Sequence, residues 1–430
     1  MSPRTTDRRV LLLSPEHIRA RMAGIGIRFW EMATALAGSF EVTLAGPEPV
    51  AADLAPAASF HLRAHSGAAM AELVAEADAV VLHGHVSDAF FAAIPEAASP
   101  PLVIDLYDPF PIENLNYFST LGDEPYRRDR ATISRQLERG DLFLCSTAEQ
   151  RLFYLGALYA LGRLTPQAYF EDFNLEQLVR IAPFGVPAKP PTKAEPVLRN
   201  VLPAAGADDE VIYFGGIYDW YDPLLLLGAL ERLLPDHPTL RVIFARNPNP
   251  ESTPQGRYAE VERMASAKGW RDEHVFFLPW MDHDSHGRLL LESTLAVALH
   301  ERRFETELSL RTRVLDFAWA GVPAVISAGG AMSRLAVEQG FGRAVPPGDL
   351  ERLTTTISDL LASQSERKRM STAGRAWAAT QTWERVLAPL IEFLEHPRID
   401  RGKSRYRGAQ GRTRRSWLTR WLAGKPETEP

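Results

Sequence analysis

The stretch FETELSLRTRVLDFAWAGVPAVIS, residues 304–327, joins a charged segment to an apolar helix and an apolar strand. Val314, Phe317 and Ala318 recur at the spacing of one helical face, so RVLDFAWAG predicts an amphipathic helix. A glycine and a proline then end the helix, and AVIS predicts a short buried strand. A helix followed by an apolar strand is the repeating element of an α/β sheet.

The same alternation of short apolar strands and helices extends through two parts of the chain. The second series begins with DEVIYFGG, after a segment that has five prolines within residues 183–196. This pattern predicts an α/β fold with two Rossmann-like, doubly wound domains that face each other across a cleft. The expected parts are an N-terminal domain over residues 1–190, a C-terminal domain over 191–380, a terminal helix over 381–397 that packs back on the first domain, and a basic flexible tail over 398–430.

The composition sets limits on location and partners. Of the 430 residues, 45% are hydrophobic and 24% are charged, as in soluble globular proteins. The net charge of −6 gives no reason to expect nucleic-acid binding. Cys145 is the single cysteine, so an intramolecular disulfide is excluded and a reducing compartment fits. Neither a signal-peptide pattern nor a membrane-spanning apolar run is present, and we expect a cytoplasmic protein.

Two glycine loops follow predicted strands. Gly24 and Gly26 open a helix after the first strand, where backbone amides can contact an anion, and Arg28 adds a positive charge. The second loop, in YFGGIYDWYDP, carries Gly215, Gly216 and Trp220. Glycines at a strand end suit close contact with a ligand, and the tryptophan suits stacking on a base or a sugar. A plain strand-to-helix turn and an aromatic side chain buried at the domain joint are the alternatives.

Polar side chains also follow two strands of the first domain. His83 and His85 end VVLHGH, and Asp105 and Asp108 lie in VIDLYDP. Parallel strands present such residues at the cleft edge of a sheet. A zinc site would need a third ligand at compatible spacing, and the sequence offers none. A histidine bonded to backbone groups at a strand end is the alternative.

The charged part of the first stretch follows the strand LAVALH. Glu305, Glu307, Arg311 and Arg313 crowd this loop and the first turn of the helix. Arginines can bind phosphate oxygens through two parallel hydrogen bonds, and carboxylates can accept bonds from sugar hydroxyls. The segment is too polar to be expected in a core. A solvated helix start with salt bridges is the alternative.

The order of these segments resembles retaining glycosyltransferases of family 4, the group 1 glycosyltransferases of the GT-B fold. In RVLDFAWAGVPAVIS, Asp316 occupies the family's second Glu position, with Gly321 and Pro323 in register after it. The segment IAPFGVP, residues 181–187, is similar to the family's Pro-Asn-Gly-Val joint, and GIGIR is similar to its N-terminal glycine loop. The variant ETELSLRTR is similar to a bacterial branch associated with surface polysaccharides.

Two departures from the family pattern shape the expectations. Residue 308 is Leu where the first acid would stand, so that acid is Glu305, which we favour, or Glu307. The loop GGIYDWYDP lacks the Arg and Lys that hold the diphosphate in the family. Arg311 and Arg313, followed by Arg246, are then the candidate phosphate ligands.

The resemblance implies transfer of a sugar from a nucleotide-diphosphate sugar to a hydroxyl, with retention at the anomeric carbon and without a metal or other cofactor. Asp316 would bind the ribose, and Glu305 the donor sugar. The remaining implied contacts are Gly24 and Gly26 with the phosphates, and His85 and Asp105 with the acceptor. A nucleotide-sugar epimerase and a non-catalytic GT-B protein, which binds a sugar nucleotide or supports a partner, are the alternative functions.

The C-terminal segment is basic, with ten Lys/Arg and one acid between residues 398 and 425. As a helix, Arg412–Leu422 would place Trp417, Leu418, Trp421 and Leu422 on one face, with arginines beside it. This pattern favours peripheral binding to an anionic membrane at the inner face of the cell membrane, and it suits a glycan or lipid-linked acceptor. A flexible tail and docking to an acidic protein are the alternatives.

Overall fold

The computed structural model describes residues 7–50, 54, 58–202, 204–247 and 254–403. Within them the chain forms two parallel sheets, and each sheet is covered by helices on both faces. Alternate residues of a strand therefore enter different cores. Val10 and Leu12 pack in one core of the first domain, and Leu11 and Leu13 pack in the other. The prediction of two doubly wound α/β domains is confirmed.

The first domain contains seven strands among the described residues. These are β1 (Arg9–Leu13), β2 (Glu41–Gly46), β3 (His61–Ala64), β4 (Ala79–His83), β5 (Leu102–Asp105), β6 (Leu142–Cys145) and β7 (Val179–Ile181). Its helices are α1 (Gly24–Leu36), α2 (Gly67–Ala75), α3 (Ser87–Ala93), α4 (Phe110–Glu113), α5 (Phe118–Leu121), α6 (Glu124–Arg139), α7 (Ala148–Ala160) and α8 (Pro166–Glu171). The strands lie side by side in the order β3-β2-β1-β4-β5-β6-β7.

The second domain contains six strands in its described part. These are β8 (Glu210–Gly216), β9 (Leu240–Ala245), β10 (Val275–Leu278), β11 (Leu295–Ala298), β12 (Ala324–Ser327) and β13 (Gly342–Val345). Its helices are α9 (Pro223–Leu233), α10 (Gly256–Ala267), α11 (His283–Glu292), α12 (Phe304–Leu308), α13 (Thr312–Ala320), α14 (Gly330–Glu338), α15 (Leu350–Ala362) and α16 (Gln364–Ala378). The strand order is β10-β9-β8-β11-β12-β13.

The chain then returns to the first domain through α17 (Trp383–Val386) and α18 (Ala388–Glu395). Trp383 and Leu390 lie in the same core as α1 and β1. The Trp383 ring packs edge-on against Phe184, with 4.7 Å between ring centroids. A Cβ at Gly185 would lie 2.7 Å from the same indole, so this joint requires a residue without a side chain.

The stretch at residues 304–327 forms two helices and a strand. The predicted helix is α13, whose Val314, Phe317 and Ala318 are buried. It ends at Gly321 in the left-handed conformation, with φ of 71°. The strand AVIS is β12, and all four of its residues are buried. The charged segment before α13 contains a further short helix, α12, which the sequence pattern did not predict.

The described C-terminal residues pack against the first domain. Asp400 accepts a hydrogen bond from Arg163 at 2.8 Å, and Lys403 Nζ lies 2.8 Å from an Asp141 oxygen. The first residues of the predicted flexible tail therefore have a defined place. The predicted membrane-binding segment, Arg412–Leu422, lies outside the described residues. Across the described part of the chain, no helix combines the length and the apolar character needed to cross a bilayer.

Candidate functional site

The loops at the carboxyl ends of the two sheets contact each other. The strand order reverses between β1 and β4 in one sheet and between β8 and β11 in the other, where doubly wound sheets bind ligands. Gln150 Nε2 of the first domain donates to the carbonyl of Leu308 at 2.7 Å. Arg303 Nη1 of the second domain donates to Asn116 Oδ1 at 2.5 Å. The candidate site is the cleft between these loops.

A buried ion pair forms the second domain's side of this cleft. Glu305 is 3% exposed and Arg311 is 6% exposed. Arg311 Nη2 donates to Glu305 Oε2 at 2.7 Å, and its guanidinium lies 5.3 Å from the centre of the Tyr221 ring. The expectation that this segment is too polar for a core is wrong at these residues, because each charge is buried with its partner.

Glu113 faces this pair from the first domain, and the sequence reasoning missed it. Its Oε1 lies 2.8 Å from Ser309 Oγ, and the same hydroxyl contacts Glu305 Oε1. Burial raises the pKa of Glu113 to about 8, and the charges of Asp108 and Glu305 add to the effect. A carboxyl group that is protonated near neutral pH therefore lies in the cleft.

Arg313 and Asp316 lie on α13 at the edge of the site. Arg313 Nη1 donates to the carbonyl of Phe214 at 2.8 Å, and Nη2 donates to the carbonyl of Gly216 at 2.7 Å. The predicted phosphate ligand therefore holds the end of β8. Asp316 is half-buried, and no hydrogen bond to it comes from a described residue. Burial raises its pKa to about 7, against the opposing effect of Arg313.

The structure separates the two candidates for the first acid. Glu307 is half-buried and accepts a hydrogen bond from the Gly330 amide at 3.3 Å. It also lies 3.6 Å from Arg334, whose guanidinium contacts Glu149 of the first domain. Glu307 therefore caps the N-terminus of α14, where a negative charge is favourable. Glu305 alone of these two acids contacts Arg311 and Ser309.

The glycine loop of the first domain already holds a carboxylate. Glu16 Oε1 accepts from the Ala23 amide at 2.6 Å, and Oε2 accepts from the Gly26 amide at 2.7 Å. A Cβ at Gly26 would lie 2.8 Å from Glu16 Oε2, and one at Gly24 would lie 3.2 Å from the Tyr107 hydroxyl. Phosphate contact at Gly24 and Gly26 stays a prediction, and it requires Glu16 to move aside.

Arg28 and Asp105 pair with each other in the core of the first domain. Both side chains are 0% exposed. Arg28 Nε and Nη2 donate to the two Asp105 oxygens at 2.7 and 2.8 Å. Its remaining bonds go to the carbonyls of Ala182 and Pro183. The predicted roles of Arg28 in donor binding and of Asp105 on the acceptor side do not fit this complete burial.

The two histidines come at and just after the end of β4. His83 is buried, and its Nε2 lies 3.0 Å from Asp108 Oδ1. The backbone of His85 forms part of the 3₁₀ turn Gly84–Val86, directly after β4. Among the described residues, no three side chains of the types that bind metals come together.

The second glycine loop and its aromatic residues form part of the domain joint. Trp220 stacks on Tyr218 with 4.9 Å between ring centroids and 8° between planes. Tyr117 of the first domain meets the same indole edge-on at 5.9 Å. Gly215, with φ of 88°, lies at a register shift in β8, and Gly216 ends the strand. The structure therefore favours the alternative in which Trp220 packs at the domain joint over stacking on a ligand.

Two exposed arginines lie beside the cleft. Arg246 directly follows β9 and is exposed, unlike Arg311 and Arg313. Arg21, in the loop between β1 and α1, donates to the Asn247 carbonyl at 3.3 Å across the two domains. The sequence reasoning missed Arg21, although a basic residue in the loop after the first strand met the same criterion as Arg28.

No family model and no curated protein sequence matches this chain. Solved structures share its fold. HepE of Anabaena, solved with UDP-glucose, has a TM-score of 0.66 and 18% identity, covering 90% of this chain and 99% of its own. Sucrose-phosphate synthase of Thermosynechococcus elongatus has a TM-score of 0.63 and 14% identity, covering 90% and 98%. WaaG, a glycosyltransferase involved in lipopolysaccharide biosynthesis, has a TM-score of 0.61 and 15% identity, covering 90% and 100%. The chain has the two-domain GT-B fold.

Proposed function

We propose that this protein transfers a sugar from a nucleoside-diphosphate sugar to a hydroxyl acceptor, with retention at the anomeric carbon. The observation that carries the proposal is Asp316, a half-buried carboxyl group to which no described residue donates a hydrogen bond. It occupies the position of the ribose-binding acid in the glycosyltransferases that the sequence resembles. The fold, and the UDP-glucose in the similar HepE structure, support this class of donor.

In this proposal, different residues of the cleft bind different parts of the donor. Asp316 accepts the ribose hydroxyls, and Glu305, held by Arg311, accepts hydroxyls of the transferred sugar. Arg246, with Arg21, meets the diphosphate at the edge of the cleft, and the amides of the first glycine loop join them when Glu16 moves aside. His85 lies on the acceptor side. The reaction needs no metal ion, because arginines and helix amides balance the leaving group.

Closure of the two domains has a chemical purpose in such a reaction. A nucleotide sugar is hydrolysed if water reaches its anomeric carbon in place of the acceptor. The bonds from Gln150 to Leu308 and from Arg303 to Asn116 hold the loops of the two domains together around that position. Closure therefore excludes water and brings Glu305 into place.

The acceptor belongs to the same proposal. We infer a glycan or a lipid-linked acceptor in the biosynthesis of a surface polysaccharide, made at the cytoplasmic face of a membrane. The support is the amphipathic pattern of Arg412–Leu422. Co-sedimentation with anionic vesicles should be lost in a chain that ends at residue 403, which keeps the Asp400 and Lys403 contacts. Equal binding of both chains would contradict the membrane part.

Product analysis tests the reaction itself. The protein is incubated with a panel of nucleotide sugars and a saccharide acceptor, with and without EDTA. We expect release of a nucleoside diphosphate and an NMR-visible glycosidic bond that keeps the donor's anomeric configuration, unaffected by EDTA. Conversion of a donor to its epimer without acceptor would favour the epimerase alternative. Binding without any turnover would favour the non-catalytic one.

A further inference from the structure

A single serine hydroxyl lies between two carboxyl groups from different domains. Ser309 Oγ is 2.8 Å from Glu113 Oε1 and within hydrogen-bond distance of Glu305 Oε1. These contacts are direct, and bulk water has little access to them, since Ser309 and Glu305 are both 3% exposed. A serine hydroxyl has one proton and can donate to one carboxylate only. If both carboxyl groups were ionised, one of the two oxygen–oxygen contacts would hold no proton and would be repulsive.

The neighbouring charges determine which carboxyl group is protonated. Arg311 Nη2 donates to Glu305 Oε2 at 2.7 Å, and a guanidinium stabilises the ionised form of its partner. Glu113 instead lies near two negative charges, those of Asp108 and Glu305, and its hydrogen bond is with a neutral hydroxyl. The additional proton therefore belongs to Glu113.

We propose that Glu113 carries a proton that links the two domains: Glu113 donates to Ser309, Ser309 donates to Glu305, and Glu305 is thereby fixed against Arg311. Glu113 is in this sense a positioning residue that acts through Ser309. Loss of its proton replaces a hydrogen bond with repulsion between two carboxylates across the cleft, and this repulsion favours opening of the cleft. The role of Glu305 in binding a donor sugar rests on the proposed function, whereas the proton link does not.

The surroundings of Glu113 are consistent with one titrating group. The charged side chains around it are Asp108 after β5, Glu305 on α12 and Arg311 before α13, and the neighbouring helix α6 brings Asp129, which is bonded to Asn114. Burial raises the pKa of the nearby tyrosines above their ordinary value of 10.0, so they stay neutral below it; these are Tyr107, Tyr117, Tyr154 and Tyr218.

The direction of the pH dependence follows from the same contacts. A glutamate has an ordinary pKa of 4.5, and burial in the closed cleft raises the pKa of Glu113 to about 8. The closed arrangement therefore binds the proton more tightly than an open one. As the pH rises from 4.5 to about 8, the ratio of closed to open protein falls, by up to about tenfold per pH unit.

Infrared difference spectroscopy on the full chain tests the proton directly. Between pH 6 and pH 10 the wild type should lose the carbonyl band of a protonated carboxyl group, and Glu113→Gln should lack that part of the change. Glu124→Gln, at an exposed acid of the same domain, is the matched control and should retain it. Asp316, with a pKa of about 7, contributes to all three spectra alike. Identical spectra for the wild type and Glu113→Gln would overturn the proposal.

Energy transfer between labelled cysteines tests the link to closure. Glu72→Cys and Glu351→Cys place dyes on exposed sites of the two domains, and Cys145 is buried and unlabelled. The transfer efficiency should change with pH in the wild type and stay constant in Glu113→Gln, whose amide donates to Ser309 without titrating. The same pH profile in both proteins would refute the link. Neither experiment uses a nucleotide sugar or a saccharide acceptor, so failure of the proposed function would leave both results interpretable.

Discussion

Each domain holds a buried arginine–carboxylate pair near its central strands, and the two pairs differ in how fully their polar atoms are bonded. All three Arg28 nitrogens donate, to Asp105 and to two carbonyls, and no part of the pair is exposed. Arg311 Nε is buried without a hydrogen-bond partner among the described residues, and Arg311 donates to Glu305 through Nη2 alone. A saturated pair has a structural role, whereas an incompletely bonded pair at a cleft is typical of a site that meets a ligand.

The largest expected effect is on stability, at the saturated pair. Arg28→Met should lower the free energy of unfolding by about 3–5 kcal/mol, because Asp105 is left charged and buried without a partner. Denaturant unfolding followed by circular dichroism measures the loss. Arg343→Met is the matched control, because the Arg343 side chain forms ion pairs at the surface and is 36% exposed. This substitution should change the free energy of unfolding by less than about 1 kcal/mol. If Arg28→Met loses no more free energy of unfolding than Arg343→Met, the pair of Arg28 and Asp105 is not structural.

A smaller loss is expected at the incompletely bonded pair. Arg311→Met should cost about 1–3 kcal/mol, because Glu305 keeps the hydrogen bond from Ser309. The same denaturant series measures it beside Arg28→Met. Equal losses in the two variants would remove the distinction between a structural and a functional pair.

A shift in titration is expected when Glu305 loses its charge. Glu305→Gln should lower the pKa of Glu113 below about 8, because one of the charges that raise it is gone and Arg311 remains. In the wild type, the stability contributed by the protonated form is present below pH 4.5 and is lost as the pH rises to about 8. In the variant this loss should be complete at a lower pH. Unfolding measured across the pH range checks it, and an unchanged or higher endpoint would contradict the proton link.

The smallest effect is expected at the first glycine loop. Glu16→Gln should lower stability by about 1 kcal/mol, because the amide oxygen can accept from only one of the two backbone amides and the charge that the helix N-terminus favours is lost. Thermal unfolding measures this change. A loss as large as that of Arg28→Met would show that the loop depends on Glu16 and is not free to receive a phosphate.

The local patterns of the sequence were sufficient to predict the architecture. The run AVIS became β12, and the helix before it ended at Gly321 as expected, because a left-handed turn there requires a glycine. The terminal helix packs on the first domain because its apolar face has a matching core there. The strand, the helix and its end depend on neighbouring residues, which a single sequence displays directly.

The site depends on partners that are distant in sequence, and here sequence reasoning was less successful. Arg28 follows a glycine loop, which suggested a phosphate ligand, but the pairing of β4 with β5 places Asp105 beside it, 77 residues away. Glu113 and Ser309 are 196 residues apart, and no local pattern relates them. One indication was present, since Glu113 lies in the segment after β5 that also contains Asp108, where acids are candidates for the cleft.

Calorimetric titration of nucleoside diphosphates into the wild type and Asp316→Asn tests the central claim most directly. UDP, GDP and ADP serve as probes, because the resemblance implies a diphosphate but not its base. We expect one of them to bind the wild type and to bind Asp316→Asn at least about tenfold more weakly, since the amide is a poorer acceptor for the ribose hydroxyls than the carboxylate. Absence of binding to the wild type, or equal binding to both proteins, would contradict the claim that this cleft holds a sugar nucleotide.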